Sequence, residues 1–66
     1  MKQEIILYLV KHPYARQREI AGALNVWTAD KDLLDAMRAL EVSGVIGRRL
    51  HRDLANMECY DEWFVF

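Results

Sequence analysis

The sequence predicts an α+β domain in which helices come first and a β-hairpin comes last. Apolar residues recur at helical spacing in three segments before Gly44 and at strand spacing after it. The breaks fall on residues that stop or turn a helix: Pro13, Asn25 and Gly44. The expected order is α1 over about 2–12, a short β1 at Tyr14 and Ala15, α2 over about 16–25, α3 over about 29–43, and a hairpin of β2 and β3 over about 45–66. One domain, 1–66, accounts for the whole chain.

In α1, Ile5, Ile6, Leu9 and Val10 share one helical arc, and Leu7 and Tyr8 flank it. Pro13 ends the helix because it disfavours helical geometry at His12. A helix of roughly ten residues is marginal alone and must pack on something. In "RQREIAGAL", Ile20, Ala21 and Leu24 make a compact apolar face, and Arg16, Gln17, Arg18 and Glu19 form a polar first turn. Asn25 is the expected stop, since it tolerates left-handed geometry. In α3, Leu33, Leu34, Met37 and Leu40 fall on one arc, while Lys31, Asp35, Arg38 and Val42 point away. Asp30 would lie on the apolar arc inside a helix, so it is read as the N-cap, with Thr28 the competing choice.

After Gly44, Ile46, Arg48, Leu50 and Arg52 share one strand face and Gly47, Arg49 and His51 the other. "DLAN" turns the chain, with Asn56 expected at positive φ. "MECYDEWFVF" returns as a strand rich in β-formers. There Phe64 and Phe66 face one way, and Trp63 and Val65 the other.

Composition narrows the classes of function. At 53% hydrophobic the chain is too apolar for a disordered tail, and at a formal charge of −1 it is not a generic polyanion binder. Cys59 is the single cysteine, which excludes an internal disulfide and fits a reducing, cytoplasmic setting. It is expected to be a small buried hydrophobe. No apolar run reaches the ~18–20 residues of a membrane span. Glu4 precedes the N-terminal apolar stretch and no small-residue cleavage site follows, so no signal peptide is expected. His12, His51 and Cys59 are too few for a structural zinc site. Neither a glycine-rich phosphate loop nor a nucleophile elbow nor paired catalytic carboxylates occur. The chain is read as a non-enzyme without cofactor or metal.

Two stretches carry a resemblance. "REIAGALNV" is similar to the helix 2 signature of the winged helix-turn-helix superfamily, and "LLDAMRALEVSGVIGRR" resembles its recognition helix and exit. Leu40, Glu41, Gly44, Val45 and Ile46 are the most telling part. The resemblance covers essentially the whole chain. The turn between Val26 and Leu33 departs from it by being about two residues longer than usual. The resemblance implies double-stranded DNA as partner, with α3 in the major groove and the hairpin, or wing, on the backbone or in the minor groove. The residues it implies are Arg16, Gln17 and Arg18 at the start of α2, Thr28, Lys31, Asp35 and Arg38 along α3, and Arg48, Arg49, His51 and Arg52 in the wing.

Arg48, Arg49 and Arg52 crowd one short window of the hairpin. They are either a phosphate grip or a means of keeping an edge strand soluble, paired across the hairpin with Glu58, Asp61 and Glu62. Asp30, Asp32 and Asp35 crowd the N-terminal half of α3, which suits the helix dipole and not a phosphate. Two functions are therefore carried forward. The first is a small DNA-binding transcriptional regulator, acting as a homodimer, whose five arginines 16, 18, 48, 49 and 52 converge with α3 on one surface. The second is a winged-helix protein-interaction module without DNA binding, in which the outward-facing acids of α3 and the aromatic C-terminal strand bind a protein partner or a second copy, with Trp27, Trp63 and Val65 forming an exposed apolar patch.

Overall fold

The computed structural model describes residues 1–66. Its elements are α1 Lys2–Lys11, β1 Ala15–Arg16, α2 Gln17–Ala23, α3 Lys31–Val42, β2 Ile46–Asp53 and β3 Glu58–Val65. They make a small α+β domain of three helices and a three-stranded antiparallel sheet in the order β1-β3-β2. β3 is central: Ala15 pairs with Trp63, and Ile46, Arg48 and Arg52 pair with Val65, Trp63 and Cys59.

The helix ends follow from local chemistry. Asp30 is the N-cap of α3, its carboxylate accepting the Leu33 N–H at 3.0 Å. Glu19 reaches back to accept the N–H of Arg16 at 3.1 Å, which closes the start of α2. Both α2 and α3 end in a Schellman arrangement around a left-handed residue. At α2, Asn25 (φ 58) donates to Gly22 O and Val26 to Ala21 O. At α3, Gly44 (φ 78) donates to Glu41 O and Val45 to Leu40 O. The helices are one to three residues shorter than the spacing predicts: α2 stops at Ala23, before its capping residues, and α3 starts after the Asp30 cap.

Ile5, Leu9, Ile20, Leu33, Met37 and Ile46 are fully buried between the helices and the inner sheet face, together with Trp63. Two expected core positions are exposed. Val10 and Leu34 lie at the edges of their arcs, and the buried positions are Leu9 on α1 and Ala36 on α3. Tyr14 is not extended but left-handed, with φ 64. In the loop 54–57 the positive φ falls on Met57, not Asn56. Asn56 is held instead by Asp53, whose carboxylate accepts the Asn56 side chain at 2.8 Å and the N–H groups of Ala55 and Asn56 at 3.1 and 3.3 Å. Those hydrogen bonds, led by Asn56, hold the Asp53 carboxyl below the usual carboxylate range. Cys59 is exposed, not buried, because the distal half of the hairpin extends past the helices.

Candidate nucleic-acid interface

The arginine window is split by strand geometry. Alternation sends Arg48 and Arg52 to the inner sheet face and Arg49 and His51 to the outer one. Arg48 is tied down twice, its Nε 3.1 Å from Glu41 Oε2 and its Nη1 3.4 Å from Asp61 Oδ2. Its guanidinium lies 5.4 Å from the Trp63 ring centroid. On the other face Arg49 Nε donates to Glu62 Oε1 at 3.0 Å, and its guanidinium stacks 3.7 Å over Tyr14. His51 Nδ1 is 3.8 Å from the same Glu62 oxygen. Apart from Arg48–Glu41, which ties β2 to α3, these pairs join neighbours within the sheet, as opposed charges across strands do. Arg16 lies over Tyr60 at 3.8 Å, next to the outer face.

The start of α2 and the exposed side of α3 form a second surface. Gln17 Nε2 donates to the Thr28 carbonyl at 2.9 Å, which pins α2 to the turn before α3. On one side of that link a shallow groove is lined by Arg18, Trp27 and Thr28. On the other, Gln17, Leu34, Arg38, Glu41 and Arg48 line a groove that reaches Trp63. Lys31, Leu34, Arg38 and Glu41 recur at helical spacing and make one stripe along α3, with Asp35 beside it. Arg18, Lys31, Arg38 and Arg52 have no carboxylate within 4 Å.

Of the residues singled out in the sequence, Gln17, Arg18, Thr28, Arg38 and Arg48 line these two adjoining grooves, and Lys31 and Asp35 are exposed on the same helix. The expected convergence of five arginines does not occur. Arg49 and His51 are on the opposite sheet face and Arg52 stands near the hairpin tip opposite Cys59, whereas Arg16, stacked on Tyr60, does share a groove with Gln17, Arg18 and Thr28. The expected apolar patch is also corrected. Trp63 is only 4% exposed and Val65 half-buried, because both share the inner face with Ile46 and Ala15. Trp27 is 84% exposed. Cys59 and His51 lie on opposite faces of the hairpin, and no three His, Cys, Asp or Glu side chains gather where they could hold a metal ion.

Sequence reasoning missed the outer sheet face. There Tyr14, Phe64 and Phe66 form a run of rings, with centroids 5.9 Å apart for Tyr14–Phe64 and 5.2 Å for Phe64–Phe66. Tyr60 and His51 follow, 5.0 Å apart. The signal was present in the alternation of "CYDEWFVF", but which side met the helices depended on the strand register. No helix is long and apolar enough to cross a membrane. No protein-family model matches the chain, and neither a curated protein nor a solved structure is found to be similar to it.

Proposed function

We propose that this chain is a small double-stranded-DNA-binding regulator of the winged helix-turn-helix kind, which meets the duplex with the start of α2 and the exposed side of α3, the hairpin lying alongside. The observation that carries the reading is the set of cations left without carboxylate partners, Arg18, Lys31 and Arg38, on the two helices and, with Thr28, around the Gln17 link. Arg52, also without one, lies on the hairpin face that Arg48 shares. Asp30 is spent on the helix cap, and Asp35 sits between Lys31 and Arg38, where a carboxylate can accept from cytosine N4.

The reading sets a number. Four phosphates neutralised by Arg18, Lys31, Arg38 and Arg52 give a slope of about −3.6 for the logarithm of affinity against the logarithm of salt, at roughly 0.9 per phosphate. Anisotropy of a labelled duplex measures it. Arg38→Gln is expected to flatten the slope by about 0.9. Arg48→Gln is expected to change it little, because Glu41 and Asp61 already offset that charge. No binding at low salt near 10⁻⁴ M, where non-specific contacts ordinarily register, refutes the proposal. The exposure of Trp27 favours the second function, a protein-interaction module. On that reading Trp27→Ala abolishes partner binding and Arg38→Gln is silent.

A further inference from the structure

The outer sheet face has no helix over it, since the buried side chains of the sheet, Ala15, Ile46 and Trp63, all belong to the other face. Its rings are nevertheless ordered against one another and against two guanidinium planes. Arg49 lies flat over Tyr14 at 3.7 Å and Arg16 over Tyr60 at 3.8 Å. Phe64 and Phe66 meet edge to face at 78°. Phe66 is 78% exposed, and Gly47 lets both phenyl rings lie against β2, since a Cβ there would stand 2.8 Å from each ring's tip.

The charge on this face is one-sided where the rings are. Glu62 is the carboxylate among them; its side chain is 14% exposed and Oε1 is taken by Arg49. Asp53 is spent on its loop, and Glu58 stands at the distal end. Arg49 hydrogen-bonds Glu62 through Nε alone, and the Arg16 guanidinium has no carboxylate within 4 Å, so terminal nitrogens of both remain free to donate. The face therefore offers π surfaces and free guanidinium donors. Unstacked bases and the phosphates between them complement that combination. A duplex does not, because its base faces are already stacked.

We propose that the outer sheet face is a stacking platform for single-stranded nucleic acid, with Phe64 and Phe66 receiving bases and Arg16, seated on Tyr60, and Arg49 contacting the phosphates. It adjoins the duplex surface, since Arg16 and Tyr60 share a groove with Gln17, Arg18 and Thr28, but Phe64 and Phe66 lie outside that groove and let it be tested apart from that reading.

The test is anisotropy of a fluorescein-labelled oligothymidylate of about 12 nucleotides, within the site sizes that single-strand binders cover. The phosphate held by Arg16, whose charge no carboxylate offsets, gives a salt slope of about −0.7 for a single strand, while Arg49, already paired with Glu62, adds hydrogen bonds and little to the slope. Phe66→Ala is expected to weaken binding roughly 5- to 150-fold, the range for removing one base stack, with far-UV circular dichroism showing the variant folded. Phe66→Trp, which keeps a stacking plane, is expected to bind as the parent does, and Arg38→Gln to leave binding unchanged. No binding near 10⁻⁴ M at low salt overturns the proposal. So does loss of binding in Arg38→Gln with none in Phe66→Ala, which places the strand on α3. A dimer that Phe66→Ala dissociates, in a chain that ignores oligothymidylate, assigns the face to a second copy and also overturns it. Oligothymidylate binding without duplex binding sinks the duplex reading alone.

Discussion

Alanine at two glycines of this chain is expected to act with opposite signs. Gly44 has φ +78, two positions past Val42 at the end of α3, where its N–H and that of Val45 close the last turn. A Cβ there meets nothing within 4 Å, so the whole cost is backbone strain. Left-handed geometry costs a non-glycine residue about 1–2 kcal/mol. For a domain of this length about 1 kcal/mol moves Tm by roughly 4–8 °C, so Gly44→Ala should lower it by at least that. Gly22 lies inside α2 with open space around its missing Cβ. Gly22→Ala should raise stability by about 0.5–1 kcal/mol, the difference in helical backbone entropy, and Tm by a few degrees. Thermal melts followed by far-UV circular dichroism separate the two. A neutral Gly44→Ala refutes the left-handed cap, and a destabilising Gly22→Ala refutes the open surface of α2. Gly47→Ala tests a third mechanism. Its Cβ would stand 2.8 Å from the ring tips of Phe64 and Phe66, an overpacking worth about 1–3 kcal/mol, less if the exposed Phe66 swings away. Phe66→Ala should then recover part of the loss in the double variant, because the two sites share a contact.

Cys59 is exposed, so the native protein should react with a thiol reagent at the rate of the unfolded chain, and Cys59→Ser should leave stability within about 0.5 kcal/mol. A protected thiol contradicts the position of the hairpin. The Asp53 carboxyl titrates below its ordinary value because the folded loop donates hydrogen bonds to its charged form. Its contribution to loop order is thus present above the unfolded value and lost as pH falls through the folded one, below about pH 4. The amide resonances of Ala55 and Asn56 should move together in that window and stay still in Asp53→Ala. Glu41→Gln removes one of the two carboxylates holding Arg48, so duplex binding should tighten and its salt slope steepen by up to about 0.9. An unchanged slope shows that Asp61 alone keeps Arg48 from the phosphates.

The helix boundaries were legible because single residues decide them. Pro13, Asn25 and Gly44 stop three helices and the Asp30 carboxylate starts one, each by local chemistry that a sequence displays. Facing was less legible. Val10 and Leu34 fit their apolar arcs, yet they are exposed because no neighbouring element reaches those edges. Period-two alternation separated Trp63 from Phe64 but not the core side from the open side, which pairing with Ala15 and Ile46 decides. The left-handed Tyr14 had no signal at all. A bulky residue is costly there, and it is held where its ring lies between Arg49 and Phe64, contacts made far along the chain.

The same geometry explains why the densest basic window is not the freest one. Two adjacent arginines on a strand must point to opposite faces, so Arg48 and Arg49 cannot serve one polyanion. Each then meets a carboxylate that the register places beside it: Arg49 faces Glu62 directly, and Arg48 lies next to Asp61, with Glu41 of α3 behind it. Arg52 escapes because its partner across the hairpin is Cys59. On α3 the spacing works the other way. Lys31 and Arg38 are two turns apart on one side, Asp30 is turned to its own backbone, and neither Asp32 nor Asp35 comes within 4 Å of either cation. A chain of net charge −1 can thus expose unpaired cations on its helices while a sequence window richer in arginine is largely neutralised in place. Charge density along the sequence is a poor guide to charge available at a surface, and the register of β2 on β3 is what converts one into the other.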